Sequence, residues 1–133
     1  VWVRQPGFDL DSEAPVPLVT FGEVCALHRA AVVTLSRAYR SYEVVFNGPS
    51  EACILAAVKG GLGIGIMARS RAHAPGIEIW EDAPLPPLGE LYCGIYLGET
   101  GDAAVLEELA DALYAMLGPK DLSLRTLAVA AAS

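Results

Sequence analysis

Basic residues are scarce in this 133-residue chain: nine lysines and arginines face sixteen aspartates and glutamates, for a formal charge of −7 and an isoelectric point near 4.7. Nucleic-acid affinity rests largely on basic side chains that neutralise phosphates, so this stretch is by itself a poor DNA or RNA binder. The arginines also stand singly, at Arg4, Arg29, Arg37, Arg40, Arg69, Arg71 and Arg125, without forming a basic stripe. Cysteine is sparse too. Cys25, Cys53 and Cys93 are odd in number and far apart, which suits reduced thiols better than a disulfide framework. No apolar run approaches the length that crosses a bilayer, and the opening "VWVRQPG" has no apolar signal core. These absences predict a cytoplasmic protein with no membrane partner. With no initiator methionine and a strand-like start, the sequence is expected to be a piece of something longer.

What the chain does have is apolar content, at 53% with a positive mean hydropathy. That predicts one folded domain with a proper core. After "VWV", residues 4 to 15 are rich in Pro, Gly and Asp and read as a loop. The pattern then alternates between strand and helix. "VPLVTF" is a strand; "GEVCALHRAAVVTLSRAY" is a helix, with Leu27, Ala31, Leu35 and Ala38 at helical spacing and Arg29, Ser36 and Arg40 opposite. "YEVVF" is a second strand, residues 51 to 59 a short helix buried through Ile54, Ala57 and Val58, and "IGIMA" a third strand. Strands joined through a helix lie parallel with a right-handed crossover, so the predicted class is α/β with an open, mainly parallel sheet and flanking helices. "GIEIW" is a possible fourth strand and "LYCGIYLG" a long alternating one. Asp102 then caps a last helix with an apolar stripe of Leu106, Leu109, Ala110, Leu113 and Leu117, opposite the solvated Glu107, Glu108 and Asp111. Gly118-Pro119 stops it.

"AAVKGGLGIGIMARS", residues 56 to 70, carries four glycines in six positions and invites a phosphate-loop reading. A dinucleotide loop needs strand, glycines, then helix, and here the glycines follow a helix and precede a strand. The spacing fails as well, because Ile66 stands where the fingerprint wants glycine. The expected role is punctuation, with Gly60 or Gly61 in the left-handed position past the helix end.

Ligands of open parallel sheets sit outside the carboxyl ends of the strands, where loops lead into helices. Two loops qualify: Thr20, Phe21, Gly22, Glu23 and Val24 before the first helix, and Asn47, Gly48, Pro49 and Ser50 before the second. Their small residues, hydroxyls, amide and free N–H groups have the chemistry of a small-molecule pocket; Ser50 taken alone reads first as a helix cap, and the convergence of two such loops at one sheet edge shifts the balance to a pocket. Catalytic constellations are weak. Cys25 and His28 are three apart on a helix, but no second pair completes a metal site, and Glu23 opposes activation of the Cys25 thiol. His73 falls in a loop by composition. The sequence has no G-x-S-x-G elbow, Walker loop or carboxylate pair at strand ends that would favour a hydrolase or transferase.

The ordered series "VWV", "PVPLVTFGEVCALHRAAVVTL", "YEVVFNGPSEACILAAVKGGLGIGIMARS" and "LPPL" resembles the C-terminal effector-binding domain of LysR-type transcriptional regulators, whose fold is similar to type II periplasmic binding proteins. The resemblance covers residues 1–117 as a partial effector-binding domain, with 118–133 a tail outside it. It implies regulatory subdomain two at 17–88, crossover strands at 1–5 and 91–98, the second returning antiparallel, and at 102–117 the terminal helix of subdomain one. It also implies a small-molecule effector held between subdomains, against the two loops named above. Helix N-termini favour anions, so a small organic acid is the default, but Glu23 and the lack of Lys or Arg in either loop leave a neutral, partly aromatic molecule open. The same resemblance implies a homodimer or higher oligomer, DNA binding only through an N-terminal winged helix-turn-helix outside this sequence, no catalysis, no metal and no cofactor. A free-standing solute-binding domain of the same fold is the alternative.

Overall fold

The computed structural model describes residues 1–92, 94–98 and 100–117; Cys93, Glu99 and the expected stop and tail at 118–133 lie outside the described residues. The chain divides into two compact units, Val1–Leu91 and Tyr92–Ser133.

The first unit is built on a five-stranded sheet. In chain order its elements are β1 (Trp2–Arg4), β2 (Val16–Thr20), α1 (Ala26–Arg37), β3 (Tyr42–Asn47), α2 (Glu51–Lys59), β4 (Ile64–Ile66) and β5 (Glu78–Ile79), with a 3-10 turn at Arg69–Arg71. The spatial order is β3-β2-β4-β1-β5. β2 pairs in parallel with both β3 and β4, Leu18 lying opposite Val44 and Ile64. β1 runs antiparallel between β4 and β5, Val3 lying opposite Gly65 and Ile79. The sheet is thus mainly parallel with one returning antiparallel strand, and "VWV" supplies it.

Successive strand residues point to opposite faces, and the core follows this rule. Trp2, Leu18, Ile64 and Ile66 join Ala31 and Leu35 of α1 on one side. Val3 and Val19 join Ile54, Ala57 and Val58 of α2 on the other. A strand covered on both faces reads as a near-continuous apolar run, which is why "VPLV" shows no clean alternation.

α2 ends as its glycines require. Gly61 has φ +73°, its N–H donates to the Val58 carbonyl at 3.0 Å, and the Leu62 N–H donates to Ala57 at 3.1 Å. This pair of bonds closes the free carbonyls around a left-handed residue. Gly61 takes that position; Gly60, at φ −75°, remains helical. α1 ends with the same pair, Tyr39 to Ser36 and Arg40 to Leu35, but around a tyrosine at φ +54°. Tyr39 is 98% exposed, so little packing offsets the left-handed strain. Tyr39→Gly is expected to raise unfolding free energy by about 0.5–1 kcal/mol, strain relief of about 1–2 exceeding the entropy glycine adds to the unfolded chain. Urea denaturation checks this, and an unchanged or lower midpoint would show that the tyrosine is not strained.

The loop at 4–15 is tied down by two arginines. Arg4 pairs with Glu78 at 2.8 Å, stacks 4.2 Å from the Trp80 ring and donates to the Phe8 carbonyl. Arg40 donates to the Asp11 and Ser12 carbonyls. Farther along, Arg69 pairs with both Glu81 oxygens and, chiefly through those hydrogen bonds, holds that carboxyl below its ordinary range.

In the second unit, α3 (Ala103–Leu117) begins at Asp102, whose Oδ1 accepts from the N–H groups of Ala104 and Val105. Leu106 and Ala110 are partly buried along the predicted stripe, while Leu109 and Leu113 stay exposed. Residues 91–98 were expected to form a strand, and their described members lie in none. Alternation supplies a face, but a strand also needs a second backbone to ladder with.

Candidate functional site: two strand-end loops

β2 and β3 are parallel neighbours, so both loops leave the same edge of the sheet. Thr20 and Asn47 are register partners at that edge. One residue on, the Gly48 N–H donates to the Thr20 carbonyl at 3.0 Å, which joins the second loop to the first. Gly22 faces Asn47 across the gap: a Cβ at Gly22 would lie 3.2 Å from both the Oδ1 and Nδ2 atoms. The structure therefore brings together the two segments that the sequence had placed at strand ends.

Within the first loop, chain direction is set by Thr20. Its side chain is only 2% exposed, and its Oγ1 accepts the Gly22 N–H at 2.7 Å. Gly22 then turns at φ +93°, and the Cys25 N–H donates back to its carbonyl at 3.0 Å. This turn delays α1. The helix begins at Ala26, with Cys25 as a cap residue that makes no side-chain bond, where the sequence pattern had started it near Gly22. Phe21 is half-buried against the α2-side core, while Glu23 and Val24 point into solvent, Val24 87% exposed.

In the second loop Gly48 is buried and Asn47, Pro49 and Ser50 are exposed. Ser50 is the N-cap of α2: its Oγ accepts the Cys53 N–H at 3.3 Å and donates to Cys53 Sγ at 3.3 Å. Several polar groups of these two loops thus already have work inside the protein. Thr20, expected to face a ligand, supports the loop from below, and the Gly22 and Gly48 N–H groups are bonded within the protein. Asn47 is the exposed side chain left with donors and acceptors to offer.

His28 is the residue that sequence reasoning missed, having weighed it only as half of a metal pair with Cys25 that nothing completes. It lies beneath the first loop, 8% exposed, with Nδ1 2.9 Å from Thr20 Oγ1. Among the described residues no group of three or more His, Cys, Asp and Glu side chains could hold a metal ion. The spacing of His28 with Ala31 and Leu35 carried the signal, since three and seven residues place all three on one helix face. A separate open groove of about 370 Å³, lined by Thr34, Arg37, Ala38, Pro86, Pro87 and Gly89, lies at the far end of α1 from these loops.

No family model matches the sequence. Over 88 residues, 66% of the chain, it is 32% identical to the HTH-type transcriptional regulator DgdR of Burkholderia cepacia. In structure it is similar to the CcmR regulatory domain of Synechocystis PCC6803, solved in complex with 2-PG, with a TM-score of 0.61 over 90% of this chain and 15% identity. The chain has the fold of the LysR-type regulatory domains that its sequence resembles. It spans 30% of the length of DgdR and 63% of the solved CcmR domain. No helix among the described residues is long and apolar enough to cross a membrane.

Proposed function

We propose that the chain senses a small molecule as part of a bacterial transcriptional regulator, its two strand-end loops forming one wall of the effector site. The observation that carries this reading is the meeting of the loops: Thr20 and Gly48 are bonded, and Asn47 lies over Gly22, at the sheet edge where open parallel sheets bind ligands. The likeness to DgdR and to a regulatory domain solved with 2-PG supports it. The rest of the site comes from a second subdomain, and DNA is bound by a helix-turn-helix domain outside this sequence. The wall binds without catalysis.

The effector is a small organic acid whose charge is met by the other subdomain, because neither loop carries Lys or Arg and Glu23 is exposed at the helix start. Asn47 hydrogen-bonds its polar part, and Phe21 meets its apolar edge. Ser50 is a poor probe, since removing a cap costs about 1 kcal/mol of stability regardless of any ligand. Asn47 is the cleaner one. In the intact regulator, a thermal-shift screen of small organic acids with 2-PG among them is expected to yield a binder. Asn47→Ala should then weaken its binding by about 0.5–1.5 kcal/mol with the ligand-free melting temperature unchanged. Equal affinity in both proteins would reduce the loops to turns and caps.

A further inference from the structure

The first loop hangs on a relay of hydrogen bonds whose lower end is His28. Thr20 Oγ1 has one proton to give and already accepts the Gly22 N–H at 2.7 Å. Its second partner is His28 Nδ1, at 2.9 Å. Were Nδ1 the donor, the oxygen would accept twice and the hydroxyl proton would need another acceptor, yet Thr20 is buried and its Oγ1 has no partner among the described residues besides the Gly22 N–H and His28 Nδ1. All three groups are satisfied when the hydroxyl donates to an unprotonated Nδ1, which puts the ring proton on Nε2. We infer that His28 is a positioning residue of the effector wall: in its Nε2–H form it orients the Thr20 hydroxyl, which holds the Gly22 N–H and so sets the turn that presents Phe21 and faces Asn47.

The chemistry is specific to this pair. An aliphatic residue at 28 would fill the same buried face beside Ala31 and Leu35 and leave the hydroxyl proton of Thr20 without an acceptor. The hydroxyl would then rotate to find one, loosening its hold on Gly22. Asparagine carries an acceptor at the same branch of the side chain as Nδ1, so it can restore the bond. The inference rests on reading these loops as the effector wall for its functional meaning, but its test needs no ligand.

Long-range proton–nitrogen spectra of the unmodified chain should show His28 with Nδ1 unprotonated and the proton on Nε2; a proton on Nδ1 in the neutral ring would overturn the relay. Amide exchange at Gly22 supplies the second arm. Thr20→Val should speed it about tenfold or more, His28→Leu should speed it less, and His28→Asn should return it towards the wild-type rate. Gly61, whose N–H is bonded at the far end of α2, should exchange at unchanged rates in all three, which separates local release from general unfolding. Equal Gly22 exchange in wild type, His28→Leu and Thr20→Val would sink the inference. If the spectra and exchange rates come out as expected while Asn47→Ala leaves organic-acid binding untouched, the relay stands and the location of the effector wall fails.

Discussion

Ile54→Ala is expected to lower the free energy of unfolding by about 3–4 kcal/mol, within the range measured for large-to-small changes at fully buried positions. Ile54 is completely buried, among Val3, Val19, Val58 and Met67. Its neighbours are parts of a sheet and a helix that cannot collapse into the space, so the cavity adds to the lost transfer free energy. Urea denaturation of the chain would measure the shift in midpoint with slope unchanged. Leu62→Ala is the control: at the end of α2 and half exposed, it should cost well under half as much. A loss below about 1 kcal/mol for Ile54→Ala would mean that α2 is not docked as described. The consequence reaches the site, because the helix that Ile54 holds down begins at the Ser50 cap and so anchors the second loop.

The parts of this structure legible in the sequence are those where one local rule suffices. Residues 51 to 59 read as a helix because Ile54, Ala57 and Val58 share a face, Ser50 caps one end and glycines close the other, and α2 has those bounds. The strand-end loops were legible because two strand-helix units in succession put their connections at one sheet edge, whatever the side chains do. Two features were not. Residues 91–98 alternate well, but strand formation depends on a partner that alternation does not reveal. Thr20 and His28, eight apart, look like a strand-end hydroxyl and a stray helical histidine until the fold puts them 2.9 Å apart. The same limit applied to the strand-end loops, since a sequence shows which residues carry donors and acceptors and not which of them are already satisfied.

The glycine-rich stretch gives the sharpest contrast between neighbouring positions. Gly63→Ala is expected to cost about 2–3 kcal/mol, the upper part of the range for overpacking a close-fitted interior. A Cβ there would stand 2.4 Å from the Pro17 carbonyl oxygen and 3.0 Å from its carbon, and 3.1 Å from Val45 Cγ2. The obstacle is backbone, which no rotamer change removes, so β4 must move away from β2 at the point where Leu18 and Ile64 pair. Gly60→Ala, three residues earlier, should be close to neutral. Gly60 has a helical φ of −75°, and although an added Cβ would come within 3.3 Å of the Ala56 carbonyl oxygen and Leu62 Cδ1, the leucine end can swing aside. The entropy lost from the unfolded chain on replacing glycine offsets the remaining crowding. Thermal and urea denaturation of the two single variants would separate them. Comparable costs at both positions would mean that the glycines serve a shared purpose such as a flexible or anion-cradling loop; a large cost at Gly63 with little at Gly60 would mean that close strand packing holds the stretch in place.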